Sequence, residues 1–326
     1  ELAHQWFGDL LTCRNWSHAW LNEGFATFFG TYYYEANNEA DEAACRWYTQ
    51  LQSIVSTDVG NRRRPTVTNR YFYPMDIFDG RIYAKGSVVL NMMRNILGDD
   101  SFFKTIHLYT KKYAYGLVET KDFQSAVEEA TGQIFEWFFD QWVYKAGYPE
   151  FEVKYEWEPE EKTIKLYVKQ IQSIDSLTGI FTTPVDVEIW YNQYPTTHRI
   201  LIDQADQEFT FPSDNPPNNV VFDKGSKILK KIDYGRYFAL SFMNTVMSIL
   251  ILKNIATEGP GTIEDFLVHN NMHSTIIDLA RHAVDPAVGY DTLVMLGGPM
   301  SVNGEYEYPY LTHEMKLAEQ FMKEDK

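Results

Sequence analysis

The chain has 326 residues, of which 44% are hydrophobic and 16% aromatic, so it can bury sizeable cores and does not have the composition of a disordered protein. Its net charge of -16 at pH 7, without any basic stripe, argues against nucleic acid as a partner. Two cysteines, Cys13 and Cys45, provide neither a disulfide framework nor a C-x-x-C metal site. The most apolar run, Tyr237–Leu252, is shorter than a typical membrane span and contains polar residues, so no membrane span is expected.

Helical patterns fill the first part of the chain, from residue 1 to about 147. In Gly86–Gly98 apolar residues recur four apart and a glycine closes the segment, which predicts a helix with a glycine C-cap. Thr120–Gly132 also ends at a glycine, and Thr120 is its predicted N-cap. Ile134–Gly147 is aromatic around most of its circumference, which predicts deep burial.

Residues 148 to about 232 change to an alternating pattern. In Glu150–Trp157 the apolar and charged side chains alternate strictly, as in a strand with one buried face. A turn and further alternating segments follow, including Val185–Tyr191. This region therefore predicts a small antiparallel β-sandwich.

A third pattern follows a predicted linker over residues 233–246. Ser248–Asn254 is a continuous apolar run, as in a parallel strand covered on both faces. A predicted helix over Thr262–Met272 and two more short strands complete an alternation of strands and helices. Residues 247–326 therefore predict part of an α/β three-layer, flavodoxin-like domain.

The first four residues, Glu1 to His4, spell the last four letters of the zinc-binding signature H-E-x-x-H. After His4 come 18 residues and then Glu23, within the segment N-E-G-F-A. A catalytic zinc site needs three protein ligands and an open position for water, and a carboxylate beside the first ligand can take a proton from that water. Tyr83 lies in the segment Y-A-K-G.

Together, the segments E-L-A-H-Q-W-F-G-D-L-L-T, W-L-N-E-G-F-A and I-Y-A-K-G-S-V-V-L resemble the M1 family of zinc metallo-aminopeptidases. The resemblance runs from residue 1 to about 232 and implies a partial, mainly α, thermolysin-like catalytic domain over residues 1–147, followed by the β-sandwich. It implies Zn²⁺ held by His4, Glu23 and a His missing before Glu1. It further implies that Glu1 is the general base, that Tyr83 stabilises the oxyanion, and that peptides are the substrates. The family pattern does not require His18, which we interpret as a surface or supporting residue.

The resemblance also predicts that this chain is truncated at its N-terminus. An upstream β-rich domain and the G-x-M-E-N loop that holds the substrate amine in this family are missing, and so is the large C-terminal helical domain of many members. The alternative is a fragment that no longer catalyses and acts only as a scaffold. We favour a cytoplasmic location, and export stays open because the N-terminus is expected to be missing.

Residues 247–326 resemble the N-terminal part of class I glutamine amidotransferase domains. The resemblance implies that Gly297 and Gly298 belong to an oxyanion turn, but no cysteine follows Cys45, so the nucleophile of glutamine hydrolysis is lacking. We interpret the sequence as two neighbouring genes or fragments joined near Met247, with a natural fusion as the alternative.

Overall fold

The computed structural model describes residues 1–37, 40–191, 194–233, 248–254, 263, 267, 273–279, 281, 290, 292–296 and 308–323. The chain divides into two compact units, Glu1–Tyr234 and Gly235–Lys326. Within the described ranges, no helix combines the length and apolar character needed to cross a lipid bilayer.

The first 147 residues are mainly helical. The α-helices are α1 (Trp20–Ala36), α2 (Ala40–Thr57), α3 (Gly86–Leu97), α4 (Asp99–Lys112), α5 (Thr120–Thr131) and the short α6 (Glu136–Phe139). Shorter 3-10 turns cover Leu2–Gln5, Trp16–His18, Gly60–Arg62 and Pro74–Asp76, and π-helical turns cover Arg81–Lys85 and Asp140–Tyr144. Two three-residue strands, β1 (Leu11–Cys13) and β2 (Gly116–Val118), pair in parallel.

The predicted helix ends are set by glycine. Gly98 follows α3 with φ of 77° and Gly132 follows α5 with φ of 69°, a backbone region that side chains disfavour. The cap of α5 lies one residue before the predicted one, at Glu119, whose N–H donates to the Asp122 carboxylate (2.7 Å). The Thr120 hydroxyl is already engaged by the Trp20 indole N–H (2.9 Å), so it does not cap the helix.

Two facing sheets follow the helices. Their strands are β3 (Glu150–Glu158), β4 (Thr163–Gln170), β5 (Thr183–Tyr191), β6 (Tyr194–Ile202), β7 (Asp206–Pro212), β8 (Asn219–Phe222) and β9 (Lys231–Asp233). The orders are β7-β4-β3-β9 and β6-β5-β8. All pairings are antiparallel except β3 with β9, which is parallel, so the prediction of a purely antiparallel unit is wrong at this edge. Phe151 and Phe222 pack edge to face across the two sheets, with ring centroids 5.4 Å apart.

One hydrophobic core extends from the helices into both sheets. The Trp142 ring, from the π-helical turn after α6, lies 4.9 Å from the Phe181 ring just before β5. Beside them, the Gln141 side chain exchanges two hydrogen bonds with the backbone of Thr182, of 2.6 and 2.9 Å. The alternating segments therefore pack their apolar faces against the same core that the aromatic helix end enters.

The second unit contains a parallel sheet in the order β11-β10-β12, with strands β10 (Ser248–Lys253), β11 (His273–Asp278) and β12 (Thr292–Met295). A helix covers Tyr310–Lys323. The strands agree with the predicted α/β pattern. Gly297, Gly298, nearly all of the predicted helix over 262–272 and residues 234–246 of the predicted linker lie outside the described residues.

Candidate functional site

The two predicted zinc ligands of this chain lie together. His4 Nε2 is 3.4 Å from Glu23 Oε2, and both side chains are partly exposed, at 30% and 21%. With its Nδ1–H donating to the carbonyl of Phe7 (3.0 Å), the imidazole presents Nε2 to the carboxylate. A metal-binding histidine usually has this arrangement, because a hydrogen bond to one ring nitrogen fixes the tautomer and leaves the other free to coordinate.

The turn that carries His4 is not the expected α-helix. Leu2–Gln5 forms a 3-10 turn in which the His4 N–H donates to the Glu1 carbonyl (3.0 Å), and none of its residues is buried. A single turn fixes many backbone angles for few hydrogen bonds, so an isolated α-helical turn is not stable by itself. The tighter 3-10 turn is the usual form of such short pieces.

Glu23 stands on a firmly packed helix. Its neighbours Leu21 and Phe25 are fully buried, so the carboxylate projects from the edge of the hydrophobic core. Burial raises the pKa of Glu23, the electrostatic interaction with His4 lowers it, and the negative charge of Glu1 raises it again. The predicted general base is therefore near enough to act electrostatically on the predicted ligand.

Tyr83 faces the same place from the π-helical turn Arg81–Lys85. Its side chain is about one-third exposed, at 36%, and its pKa is raised by burial and by the charge of Glu23. The Tyr83 ring packs edge to face on Phe78 (6.3 Å between centroids), which in turn contacts Trp16 (5.5 Å). A raised phenol pKa keeps the hydroxyl protonated at neutral pH, so it remains a hydrogen-bond donor.

A glycine contact brings the segments of Glu23 and Tyr83 together. Gly24 of α1 and Gly86 of α3 face each other so closely that a Cβ on either would lie 2.9 Å from the other's Cα. No side chain fits at that distance, and the two backbones can meet only where both residues are glycine. The glycines of N-E-G-F-A and Y-A-K-G thus set the separation of the segments that carry Glu23 and Tyr83.

A buried ion cluster supports the Tyr83 turn from behind. Asp58, at the end of α2, accepts from Arg81 Nε (2.9 Å), contacts Lys85 Nζ (3.4 Å) and accepts from the Gly147 N–H (3.2 Å). The sequence patterns do not predict this cluster. The one signal for it was the lysine of Y-A-K-G itself, a charged residue within an otherwise apolar segment.

The charges in this cluster are unevenly matched. Burial raises the pKa of the Asp58 carboxyl, but the charges of Lys85 and Arg81 outweigh it and hold that pKa below its usual 3.8. Burial lowers the pKa of Lys85, because its ammonium is wholly removed from water and shares one carboxylate with Arg81. Asp58 is therefore the anion beside the buried Lys85, whereas Arg81 is shared between Asp58 and Asp79 (Arg81 Nη1 to Asp79 Oδ2, 2.6 Å).

His18 has a structural role in the described residues. Its Nδ1 accepts from the Thr120 N–H (3.2 Å) and lies 2.9 Å from the Thr120 hydroxyl, at the start of α5. Burial lowers the pKa of His18, while the nearby charges of Glu119 and Asp122 raise it. The neutral ring is the form that can accept the backbone hydrogen bond.

The two predicted ligands present in the chain have the chemistry that zinc binds. An imidazole nitrogen and a carboxylate oxygen are ordinary zinc ligands, and His4 and Glu23 provide one of each. Among the residues that the structure describes, however, no three His, Cys, Asp or Glu side chains come together as a metal site. Of the four predicted site residues, the structure places His4 against Glu23, with Tyr83 and Glu1 within electrostatic reach of Glu23.

Three separate sequence segments thus meet at one partly exposed surface. Residues 1–142 match the model of the peptidase family M1 domain. The M1 domain match covers the 3-10 turn of His4, α1 with Glu23, and the π-helical turn of Tyr83. His4, Glu23 and Tyr83, which the sequence motifs single out, all lie within the matched residues.

Named relatives agree with the M1 domain match. The chain is 31% identical over 218 residues to "Aminopeptidase M1-A" of Oryza sativa subsp. japonica, covering 64% of this chain and 24% of that protein. It is 32% identical over 198 residues to "Tricorn protease-interacting factor F2" of Thermoplasma volcanium, covering 58% of this chain and 24% of that protein.

A solved structure supports the fold. The crystal structure of Legionella pneumophila aminopeptidase A in complex with aspartic acid superposes with a TM-score of 0.57 at 21% identity, over 74% of this chain and 27% of that one. This likeness concerns the fold alone. The present chain spans about a quarter of the length of each of these relatives.

Proposed function

We propose that this chain carries part of the active centre of an M1-type, zinc-dependent aminopeptidase that removes N-terminal residues from peptides. The observation that carries the proposal is the 3.4 Å approach of His4 Nε2 to Glu23 Oε2, with Tyr83 beside them. In this proposal His4 and Glu23 are zinc ligands, and zinc supplies a Lewis acid that polarises the scissile carbonyl and makes bound water acidic.

The residues of the chain have distinct roles in the proposed reaction. Glu1 takes a proton from the attacking water and delivers it to the leaving amine. The Tyr83 hydroxyl donates a hydrogen bond to the oxygen on which negative charge develops. The position of Tyr83 supports this role, because its side chain is partly exposed and lies close enough to Glu23 to feel the charge of that carboxylate.

The third ligand is proposed to be a histidine immediately before Glu1 in the parent protein. It would complete H-E-x-x-H and would share a face with His4, since residues four apart on a helix project together. The proposal therefore expects residues 1–326 to bind zinc weakly and to turn over little substrate. It also expects the Leu2–Gln5 turn to become α-helical when a preceding turn is present.

The test compares three forms of the chain: residues 1–326, the same chain with one His added before Glu1, and a control with one Gln added there. Zinc stoichiometry and affinity are measured by calorimetry, and hydrolysis is followed with fluorogenic aminoacyl substrates. We expect the His-extended chain alone to bind zinc tightly and to hydrolyse substrate. Equal zinc binding by the Gln-extended control would overturn the assignment of this ligand.

Two substitutions in the His-extended chain separate an enzyme from a scaffold. Glu23→Gln keeps the shape of a ligand and removes its charge, so zinc affinity and turnover should both fall. Glu1→Gln should leave zinc bound and abolish turnover, because only the base is lost. Tight zinc binding without hydrolysis in a His-extended chain that also carries the upstream segment holding the substrate amine would favour the scaffold interpretation.

The amidotransferase resemblance of residues 247–326 stays a prediction. The parallel order β11-β10-β12 is compatible with an α/β domain. A glutaminase assay of the protein encoded by the intact neighbouring gene tests the resemblance to glutamine amidotransferases. Sequencing the source locus across residues 233–247 distinguishes joined genes from a natural fusion.

A further inference from the structure

Asp58 holds both ends of the turn that presents Tyr83. Its Oδ1 accepts from Arg81 Nε (2.9 Å), two residues before the tyrosine, and its Oδ2 lies 3.4 Å from Lys85 Nζ, two residues after it. The side chains of Arg81 and Lys85 thus converge on one carboxylate, while Tyr83 lies near Glu23 and is partly exposed. The turn between them is π-helical, a rare form that needs outside support and often occurs at functional sites.

The cluster is deeply buried. The relative exposures are 1% for Asp58, 0% for Lys85 and 7% for Arg81. Removing such charges from water is costly, and a buried ion pair often stabilises a fold no better than apolar side chains would. A cluster of this kind is therefore better explained by the geometry that it imposes than by the stability that it adds.

The Asp58 carboxylate also binds the backbone at the point where the chain enters the β-sandwich. Asp58 Oδ2 also accepts from the Gly147 N–H (3.2 Å), and the Gly147 carbonyl lies 3.3 Å from Lys85 Nζ. The Thr178 hydroxyl donates to the carbonyl of Ala146 (3.1 Å), and a Cβ at Gly147 would lie 2.9 Å from that hydroxyl oxygen. The sandwich loop that carries Thr178 thus holds the Ala146–Gly147 backbone in place, and this backbone in turn holds the Asp58 carboxylate.

We propose that Asp58 is a positioning residue for Tyr83, and that through Gly147 it couples the geometry of this tyrosine to the β-sandwich. The proposal rests on the proposed function only in the role given to Tyr83; the positioning itself is a statement about the Arg81–Lys85 turn. Loss of the Asp58 carboxylate should move Tyr83 relative to Glu23 without displacing the helix that carries Glu23.

A matched control exists within the same unit. Asp223 also binds a buried lysine, Lys230, and also accepts from backbone N–H groups, those of Lys227 and Ile228 (3.2 and 3.1 Å). Asp58→Asn and Asp223→Asn therefore remove the same kind of interaction, and only the first touches the Tyr83 turn.

The test places 3-fluorotyrosine at position 83 of residues 1–326 and records its fluorine resonance in the parent chain and in both variants. Amide hydrogen exchange of Tyr83–Gly86 is measured alongside. We expect Asp58→Asn to shift or broaden the resonance and to speed exchange in this turn. We expect Asp223→Asn to change neither, even where it lowers the melting temperature by as much.

A kinetic readout follows in the His-extended chain loaded with zinc. Misplacing a catalytic group can cost about 100-fold in rate, so Asp58→Asn should lower kcat to about that extent with little change in KM. Asp223→Asn should leave both constants unchanged. If Asp58→Asn does not fold, the double variant Asp58→Asn/Lys85→Met removes the buried Asp58–Lys85 pair, leaves Arg81 paired with Asp79, and is expected to show the same shift.

The fluorine result decides the proposal whether or not the chain is active. An unchanged resonance and unchanged exchange in folded Asp58→Asn, or equal changes in Asp223→Asn, would overturn the positioning role. An inactive His-extended chain with a clear Asp58-specific shift would instead reject the proposed function and leave the positioning role standing.

Discussion

The two sides of the candidate site are held in very different ways. The Tyr83 side lies on a turn fixed by three buried charged groups and pressed against α1 through a glycine contact. The His4 side is a 3-10 turn with no buried residue, held to the rest of the unit by local hydrogen bonds and by the contact with Glu23. One side is organised by packing and the other by a few polar contacts.

The difference between the two sides matches the rigidity that their proposed roles require. An oxyanion donor acts only if it is already in place when charge develops, so the role proposed for Tyr83 needs a rigid support. A metal ligand can be drawn into place by the metal, because metal binding contributes free energy to the folding of its site. We therefore expect the Tyr83 side to be the same with or without zinc and the His4 side to become ordered on binding.

The largest effect should come from the buried carboxylate. Asp58→Asn leaves the buried Lys85 without its anion, while Arg81 keeps its ion pair with Asp79. We expect the free energy of unfolding to fall by about 3–5 kcal/mol at neutral pH, because one buried cation is left uncompensated, and denaturant titration measures this loss. The exposed Glu42, paired with Arg46 on the surface of α2, provides a control whose loss should cost little.

The same variant has a pH signature. The folded pKa of Asp58 lies below its usual value, so the unfolded chain binds the proton first as the pH falls. The stability that Asp58 contributes is present above about pH 4 and is lost below it, as the pH falls through the folded pKa. The difference in free energy of unfolding between the parent chain and Asp58→Asn should therefore become smaller as the pH falls below about 4. A difference that does not change with pH would contradict the assignment of Asp58 as an ionised, buried carboxylate.

Removing the Tyr83 hydroxyl should act on rate alone. In the zinc-loaded, His-extended chain, Tyr83→Phe should lower kcat by about 100- to 1000-fold, equivalent to about 2.7–4 kcal/mol, because one oxyanion donor is lost. Zinc affinity and melting temperature should stay close to those of the parent. A parent-like kcat for Tyr83→Phe would remove the tyrosine from the mechanism.

Adding one methyl group at the contact between Gly24 and Gly86 should destabilise the fold. Gly86→Ala places a Cβ 2.9 Å from the Gly24 Cα, so α1 and α3 must separate, at a cost of about 1–3 kcal/mol. We expect the contact between Glu23 and the Tyr83 turn to loosen with it, seen as faster amide exchange at both. Gly30→Ala on α1 has open space around its Cβ and should be neutral or stabilising.

The smallest effect should come from His18. His18→Ala removes the acceptor of the Thr120 N–H and should cost about 1 kcal/mol, as for the loss of a helix cap, with kcat unchanged. Burial lowers the folded pKa of His18, so its stabilisation is present above the unfolded value near pH 6.5 and is lost as the pH falls. A change in zinc affinity would instead indicate a role at the metal.

Local patterns were enough to predict much of this molecule. The glycine-ended helices at Gly98 and Gly132 and the alternating strand at Glu150 follow from periodicity and backbone preference, and the structure confirms them. The meeting of His4 with Glu23 followed from motif spacing. Each of these depends on interactions within a short segment or on a spacing that a known family already reveals.

Other features depend on contacts that no local pattern records. Asp58 and Gly147 are far apart in sequence, and nothing around Asp58 distinguishes it from an exposed helix-end carboxylate. The parallel pairing of β9 with β3 likewise depends on where the chain returns, since three residues carry no sign of strand direction.

The continuous core has a consequence for dividing the protein into pieces. Secondary structure changes type near residue 147, yet the Trp142 and Phe181 rings and the Gln141–Thr182 hydrogen bonds cross that point. Helices and sandwich should therefore melt together in one calorimetric transition. A polypeptide that starts at residue 148 would expose the apolar surface that Trp142 now covers, and it should aggregate when expressed alone.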